Sequence, residues 1–180
     1  MEDSVSIRGV RRVYAREAGI LFEESPNPKD IQDIGLGLVE GNKKAALLAW
    51  EEFAICAGDT LANAITLIDG PIVIGGGLSG AYPLFLQRLV DEMNEAFQSI
   101  DGHELPRLEI TVLNLEDPGE QELFLENKSH EIKVPFSSRT VIYNPSRYIG
   151  VGITRLGTSK AVSVGAYAFA LNQLDRVIVK

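Results

Sequence analysis

Apolar side chains recur every three or four residues in three long stretches of the chain, with charged and amide side chains between them. This spacing predicts amphipathic helices over residues 3–17, 43–68 and 86–97. The middle helix is rich in alanine on its apolar face, so a neighbouring element can approach it closely. Its apolar positions are Leu47, Trp50, Ala54, Ala57, Leu61, Ile65 and Ile68, and those of the third helix are Leu86, Leu89, Val90, Met93 and Phe97.

Shorter apolar runs between the helices predict strands. Ile72-Val73-Ile74 is a β-branched run bounded by proline and glycine, which predicts a short and fully buried strand. Residues 108–115 alternate apolar and polar side chains as a half-buried strand does, and residues 148–154 give a third strand. A helix follows from residue 157, and residues 175–180 are expected to add an edge strand. Helices alternating with strands predict an α/β fold with an open sheet covered by helices.

Residues 116–147 have a different character. They are charged, lack a clear period and contain three prolines. We expect an insertion there, with short strands near residues 132–134 and 140–143. The remaining pattern predicts one domain over residues 1–180.

The net charge and the cysteine content of the chain limit the classes of partner and the compartment that it fits. The net charge of −8 argues against nucleic acid and membrane surfaces as partners, because both are negatively charged. No apolar run reaches the length of a membrane span. The single cysteine, Cys56, excludes an internal disulfide framework and fits a reducing compartment, so a cytoplasmic location is expected.

The stretch Gly70-Pro-Ile-Val-Ile-Gly-Gly-Gly-Leu-Ser-Gly-Ala81 carries the candidate chemistry. A strand stops at Gly75-Gly76-Gly77, and Leu78 and Ser79 lead into a helix that the Ser79 hydroxyl can cap. Glycine removes the Cβ that would clash with a ligand, and a helix start offers free N–H groups to a phosphate or sugar. The same glycines could serve only as a tight turn, and the pattern alone leaves both interpretations open.

Three motifs in order carry a resemblance to a known family. The glycine stretch is followed by a helix, a strand and the closing run Leu156-Gly-Thr-Ser-Lys-Ala-Val-Ser-Val-Gly-Ala166, and the turn Glu40-Gly-Asn42 precedes them all. This set resembles the C-terminal part of the ROK (repressor, open reading frame, kinase) sugar kinases, which include bacterial glucokinases. Asn42 stands where the family has Asp. The resemblance spans most of the chain outside residues 116–147.

The resemblance implies the C-terminal lobe of the actin-like, ribonuclease-H-like ATPase fold, with an open mixed sheet covered by helices. Family members are about twice this length, so the N-terminal lobe is expected to be absent. Gly75, Gly76, Gly77, Leu78 and Ser79 would contact the nucleotide. Glu2, followed four residues later by Ser6, aligns with a Glu that hydrogen-bonds sugar hydroxyls. The resemblance places no catalytic residue, phosphate loop or zinc ligand in this chain.

Two functions follow from the resemblance. The first is the C-terminal fragment of an ATP-dependent hexose kinase, which uses ATP with Mg and a hexose in the complete protein and is inactive alone. The alternative is the sugar-sensing lobe of a ROK-type repressor without kinase activity. The family also implies a homodimer through this lobe, and the plainest interpretation is that the glycines only turn the chain and the domain serves to dimerise.

Overall fold

A computed structural model describes residues 3–126 and 128–178. Six helices lie in these ranges: α1 (Ile7–Ala18), α2 (Pro28–Leu36), α3 (Lys43–Ile65), α4 (Tyr82–Asn94), α5 (Pro118–Leu125) and α6 (Thr158–Ile178). The described strands are β1 (Ile72–Ile74), β2 (Ala96–Gln98), β3 (Glu104–Pro106), β4 (Thr111–Asn114), β5 (His130–Lys133), β6 (Thr140–Tyr143) and β7 (Tyr148–Ile153).

Three of the strands form the central sheet in the order β1-β7-β4. Both pairings are parallel, with Ile72 opposite Val151 and Val112 opposite Ile149. The antiparallel pairs of the described chain lie outside this sheet, in the separate hairpins β2–β3 and β5–β6. The expected α/β class is confirmed.

Local capping fixes where the first helices begin. The Ser6 hydroxyl accepts a hydrogen bond from the Gly9 amide at 3.0 Å, so α1 starts at Ile7 and not at residue 3 as expected. Asn42 does the same for α3, accepting from the Ala45 amide at 3.0 Å. Helix α2 begins at Pro28, whose missing N–H would have no partner in a first turn.

The core is centred on helices α3 and α4, with α1, α2 and the central sheet packed against them. Trp50, Phe53 and Phe85 form an aromatic cluster, with ring centroids 5.0–6.0 Å apart. Around it, small side chains of α3 allow close approach. The buried apolar residues of these two helices are Ala45, Ala46, Ala49, Trp50, Phe53, Ala54, Ala57, Ala62, Phe85, Leu86, Leu89, Val90 and Met93.

Several positions depart from the periodic pattern. Leu47 is 42% exposed on α3, and Ile68 is 71% exposed because the helix ends before it, at Ile65. Phe97 belongs to β2 and is exposed, because α4 ends at Asn94. Glu92, one of the charged residues between the apolar positions of α4, is buried.

Two basic side chains explain the burial of Glu92. Arg88 lies 2.9 Å from one carboxylate oxygen, and Arg107 lies 3.7 Å from the other. Arg107 is itself almost buried and also pairs with Asp59 of α3. Burying a carboxylate costs free energy unless it is paired, so these contacts make the position tolerable.

Residues 116–147 hold more structure than the sequence predicts. Helix α5 was not expected; the Asp117 carboxylate caps it by accepting the Gly119 and Glu120 amides. Strands β5 and β6 confirm the two predicted there. That this segment is an insertion stays a prediction.

Residues 175–178 continue α6, so the expected edge strand is wrong over this part, and residues 179–180 lie outside the described chain. In the described part of the chain, no helix has the length and apolar character needed to cross a membrane.

Gly58 sets the separation of α3 and α4. A Cβ built on it would lie 2.7 Å from the Leu89 carbonyl oxygen and 2.8 Å from the Glu92 Cβ. We predict that Gly58→Ala lowers the free energy of unfolding by about 1–3 kcal/mol, because the helices must move apart.

Gly165→Ala is the matched control. Gly165 also lies inside a helix, and no described atom comes within 4 Å of its built Cβ. Alanine favours a helix over glycine by up to about 1 kcal/mol, so this variant should be unchanged or slightly more stable. Urea denaturation of both variants is the measurement, and a Gly58→Ala protein as stable as the control would contradict the close packing.

Candidate functional site

The carboxyl ends of β1 and β7 lie side by side at one edge of the sheet. The ladder between them extends past their ends, where the Thr154 amide donates to the Ile74 carbonyl at 2.9 Å. Each strand then turns through a glycine with positive φ, Gly76 at 104° and Gly157 at 68°, before a helix begins. In open α/β sheets, ligands bind in the crevice outside such carboxyl ends.

Gly75, Gly76 and Gly77 form an exposed turn after β1, which we name the glycine turn. No described atom lies within 4 Å of a Cβ built on Gly76 or Gly77. The turn is closed by Ser79, whose amide donates to the Gly76 carbonyl at 3.2 Å. The backbone of this turn is therefore open to a ligand from outside.

Ser79 does not cap a helix as expected. Its hydroxyl donates to the Gly76 carbonyl at 2.7 Å, inside a short 3-10 turn over Ser79–Ala81. Helix α4 begins only at Tyr82, with Pro83 in its first turn and no side-chain cap. Ser79 thus stabilises the glycine turn, and it retains its oxygen lone pairs for a second contact.

The strand before the turn is less buried than expected. Val73 is 69% exposed, because only one face of β1, that of Ile72 and Ile74, packs against the core. That open face continues into a depression of about 420 Å³ between the glycine turn and the first turns of α6. It is lined by Val73, Gly75, Gly76, Thr154, Gly157, Ala161 and Val162.

Glu116 holds the neighbouring turn in place. Its carboxylate is 90% buried, accepts the Ile153 amide at 3.1 Å and pairs with Arg155 at 2.7 Å. Sequence reasoning assigned Glu116 to the insertion and missed this role. The available signal was its position directly after the strand predicted over residues 108–115, because the carboxyl ends of parallel strands meet at one edge of a sheet.

Helix α2 contacts the far end of the turn. The Gln32 side-chain amide donates to the Gly80 carbonyl at 3.1 Å. Leu78 is half-buried against the core. The five predicted nucleotide-contact residues therefore lie together, between α2 on one side and α6 on the other.

The predicted sugar contact, Glu2, lies outside the described residues. Its motif partner Ser6 is the N-cap of α1. Across residues 3–126 and 128–178, no group of three His, Cys, Asp or Glu side chains is placed to hold a metal ion.

Comparison with known proteins gives one informative match. A crystal structure of a glucokinase from Parabacteroides distasonis matches with a TM-score of 0.80 and 43% sequence identity. The match covers 95% of this chain and 45% of the glucokinase, so the chain spans less than half of that protein. Neither a protein-family model nor a curated protein matches the chain. The match confirms the fold class, an α/β domain that corresponds to part of a glucokinase of the actin-like ATPase fold.

Gly76 requires glycine for its conformation, whereas Gly77 does not. Gly76 has a φ of 104°, and Gly77 has no positive φ. We predict that Gly76→Ala lowers the free energy of unfolding by about 1–2 kcal/mol through backbone strain.

Gly77→Ala, with the same side chain one residue later, should leave stability within about 0.5 kcal/mol of the parent protein. Paired thermal and urea unfolding curves test this. Equal stabilities of the two variants would mean that the turn has a different conformation.

Proposed function

We propose that the chain is the C-terminal lobe of an ATP-dependent hexose kinase similar to glucokinase. The observation that carries this proposal is the exposed glycine turn at the carboxyl edge of the sheet, in a domain 43% identical to part of a glucokinase. The named match favours the kinase over the repressor of the same resemblance. ATP with Mg²⁺ and a hexose would be the substrates of the complete protein.

In this proposal the glycine turn receives the nucleotide. Gly75, Gly76 and Gly77 carry no side chain to obstruct it, and their exposed backbone can approach phosphate or ribose oxygens. The Ser79 hydroxyl can accept one further hydrogen bond. Mg²⁺ binds chiefly to substrate phosphates, so it would enter with ATP.

Phosphoryl transfer depends mainly on positioning and on neutralising charge. This chain would contribute positioning: the glycine turn for the nucleotide and, by resemblance, Glu2 for a sugar hydroxyl. The base for the sugar hydroxyl and the second phosphate loop would come from the N-terminal lobe. General-base catalysis alone is worth about 100- to 10,000-fold in rate.

Helix α6 offers a surface for that lobe. The large apolar side chains whose exposure the structure describes in this helix are each more than half exposed. These are Val162, Val164, Tyr167, Phe169, Leu171 and Leu174. A contiguous exposed apolar surface marks an interaction site, which supports a partner in the form of the N-terminal lobe. A homodimer remains a second proposed association.

We predict that ADP shifts the backbone amide resonances of residues 75–80 in a titration followed by NMR. Gly77→Val should abolish these shifts, because the added side chain would occupy the space in which the ligand approaches the open backbone.

The matched control is Gly70→Val, at the opposite end of β1. No described atom lies within 4 Å of its built Cβ either. This variant should keep the ADP response of the parent chain. Shifts that occur elsewhere and leave residues 75–80 unmoved would refute the site.

We predict that the purified 180-residue chain does not phosphorylate glucose, mannose or N-acetylated hexoses with ATP. The segment Asp33-Ile34-Gly35 matches the Asp-x-Gly sequence pattern of a phosphate loop. It lies inside helix α2, however, and Ile34 and Gly35 are buried. A coupled assay for ADP release, with a no-enzyme blank, is the measurement. Sugar-dependent turnover that survives repurification would show that the chain holds a complete active site.

A further inference from the structure

Trp50 is the single tryptophan of the chain and lies at the centre of the core. Its ring stacks on Phe85 at 6.0 Å and meets Phe53 edge-on at 5.6 Å. The side chain is fully buried, yet its Nε1–H has no hydrogen-bond acceptor among the described residues. Because a buried indole N–H usually has a hydrogen-bond acceptor, we expect an acceptor for the Trp50 Nε1–H.

A small cavity adjoins Trp50 on the side of the glycine turn. Its volume is about 30 Å³, and its lining includes Trp50, Gln32, Gly77 and Leu78. This volume exceeds the about 10–15 Å³ that a cavity needs to hold one water molecule. The cavity therefore has room for an ordered oxygen atom.

Trp50 and Gln32 are both among the residues that line this cavity. Gln32 uses its amide nitrogen to hold the Gly80 carbonyl, and its Oε1 accepts no hydrogen bond from a described residue. Trp50 supplies a donor and Gln32 an acceptor, and a water molecule typically needs two to four such partners. The arrangement joins α2 and α3 to the glycine turn.

We propose that this cavity is an oxygen-binding site in which the Trp50 Nε1–H donates to one oxygen atom lying beneath Gly77 and Leu78. The oxygen belongs either to a resident water molecule or to a hydroxyl group of a nucleotide at the glycine turn, because only these can accept from Trp50 and donate to Gln32. The second source rests on the proposed function, and the first does not. In both cases the oxygen ties the glycine turn to the aromatic core.

The test uses the indole N–H resonance of the ¹⁵N-labelled chain, which the single tryptophan makes unambiguous. A resident water gives a nuclear Overhauser contact between the indole proton and water in the free chain. A nucleotide oxygen gives no such contact, and ADP then moves the indole resonance downfield together with the Gly77 and Leu78 amides. The proposal is wrong if the indole proton shows no Overhauser contact with water and its resonance does not move when ADP is added.

This experiment distinguishes a failure of the proposed oxygen site at Trp50 from a failure of the proposed nucleotide site at the glycine turn. If ADP moves no amide of residues 75–80 but the water contact is present, the nucleotide site is wrong and the oxygen site stands. If ADP moves those amides while the indole proton has no water contact and does not respond, the oxygen site is wrong and the nucleotide site stands.

Hydrogen exchange of Trp50→Phe gives an independent readout. This variant keeps an aromatic ring and removes the N–H, so the Ser79 and Ala81 amides, which donate to the Gly76 and Leu78 carbonyls of the turn, should exchange about fivefold faster relative to the core amides of α3. Phe53→Leu disturbs the packing on Trp50 but keeps its donor, and should leave that ratio unchanged. A Trp50→Phe protein in which all amides accelerate equally would assign Trp50 a packing role only.

Discussion

The contact between α3 and α4 is the constraint on which the rest of the structure depends. The chain leaves α3, forms β1 and the glycine turn, and enters α4, so these two helices hold both ends of the candidate site. Their separation is set by Gly58 against the Leu89 carbonyl and by the stacking of Trp50 on Phe85. A change in that separation would displace the glycine turn, because interiors packed at crystal density pass strain to their neighbours.

Polar contacts then align the sheet with α4. The Asn94 side chain donates to the Val112 carbonyl at 2.8 Å and accepts the Val112 amide at 2.9 Å, as a neighbouring strand would. Two residues further along β4, the Asn114 side-chain amide donates to the Gln87 side-chain oxygen at 2.9 Å. Because β4 pairs with β7, and β7 with β1, these contacts fix all three carboxyl ends relative to α4.

The sequence predicts the features that local pattern determines. The α3 and α4 periodicity, the β-branched run of β1 and the glycine turn were found, because each depends on neighbours along the chain. The exposure of Val73 was not predicted, since it depends on whether another element covers the second face of β1. The burial of Glu92 depends on Arg107, fifteen positions away in sequence, and the role of Ser79 depends on where α4 begins. Such outcomes follow from tertiary neighbours that a single sequence does not display.

The exposed apolar surface of α6 is continuous with the candidate site at the glycine turn. The depression beside the glycine turn is bounded on one side by Ala161 and Val162, in the first turns of α6, and the exposed apolar side chains of that helix begin there. A partner that covers α6 would therefore also form a wall of the depression and exclude water from it. Electrostatic interactions with a phosphate strengthen when water is excluded. Occupation of α6 and affinity at the glycine turn are thus expected to be coupled, and by linkage a bound nucleotide would tighten the association with that partner to the same degree.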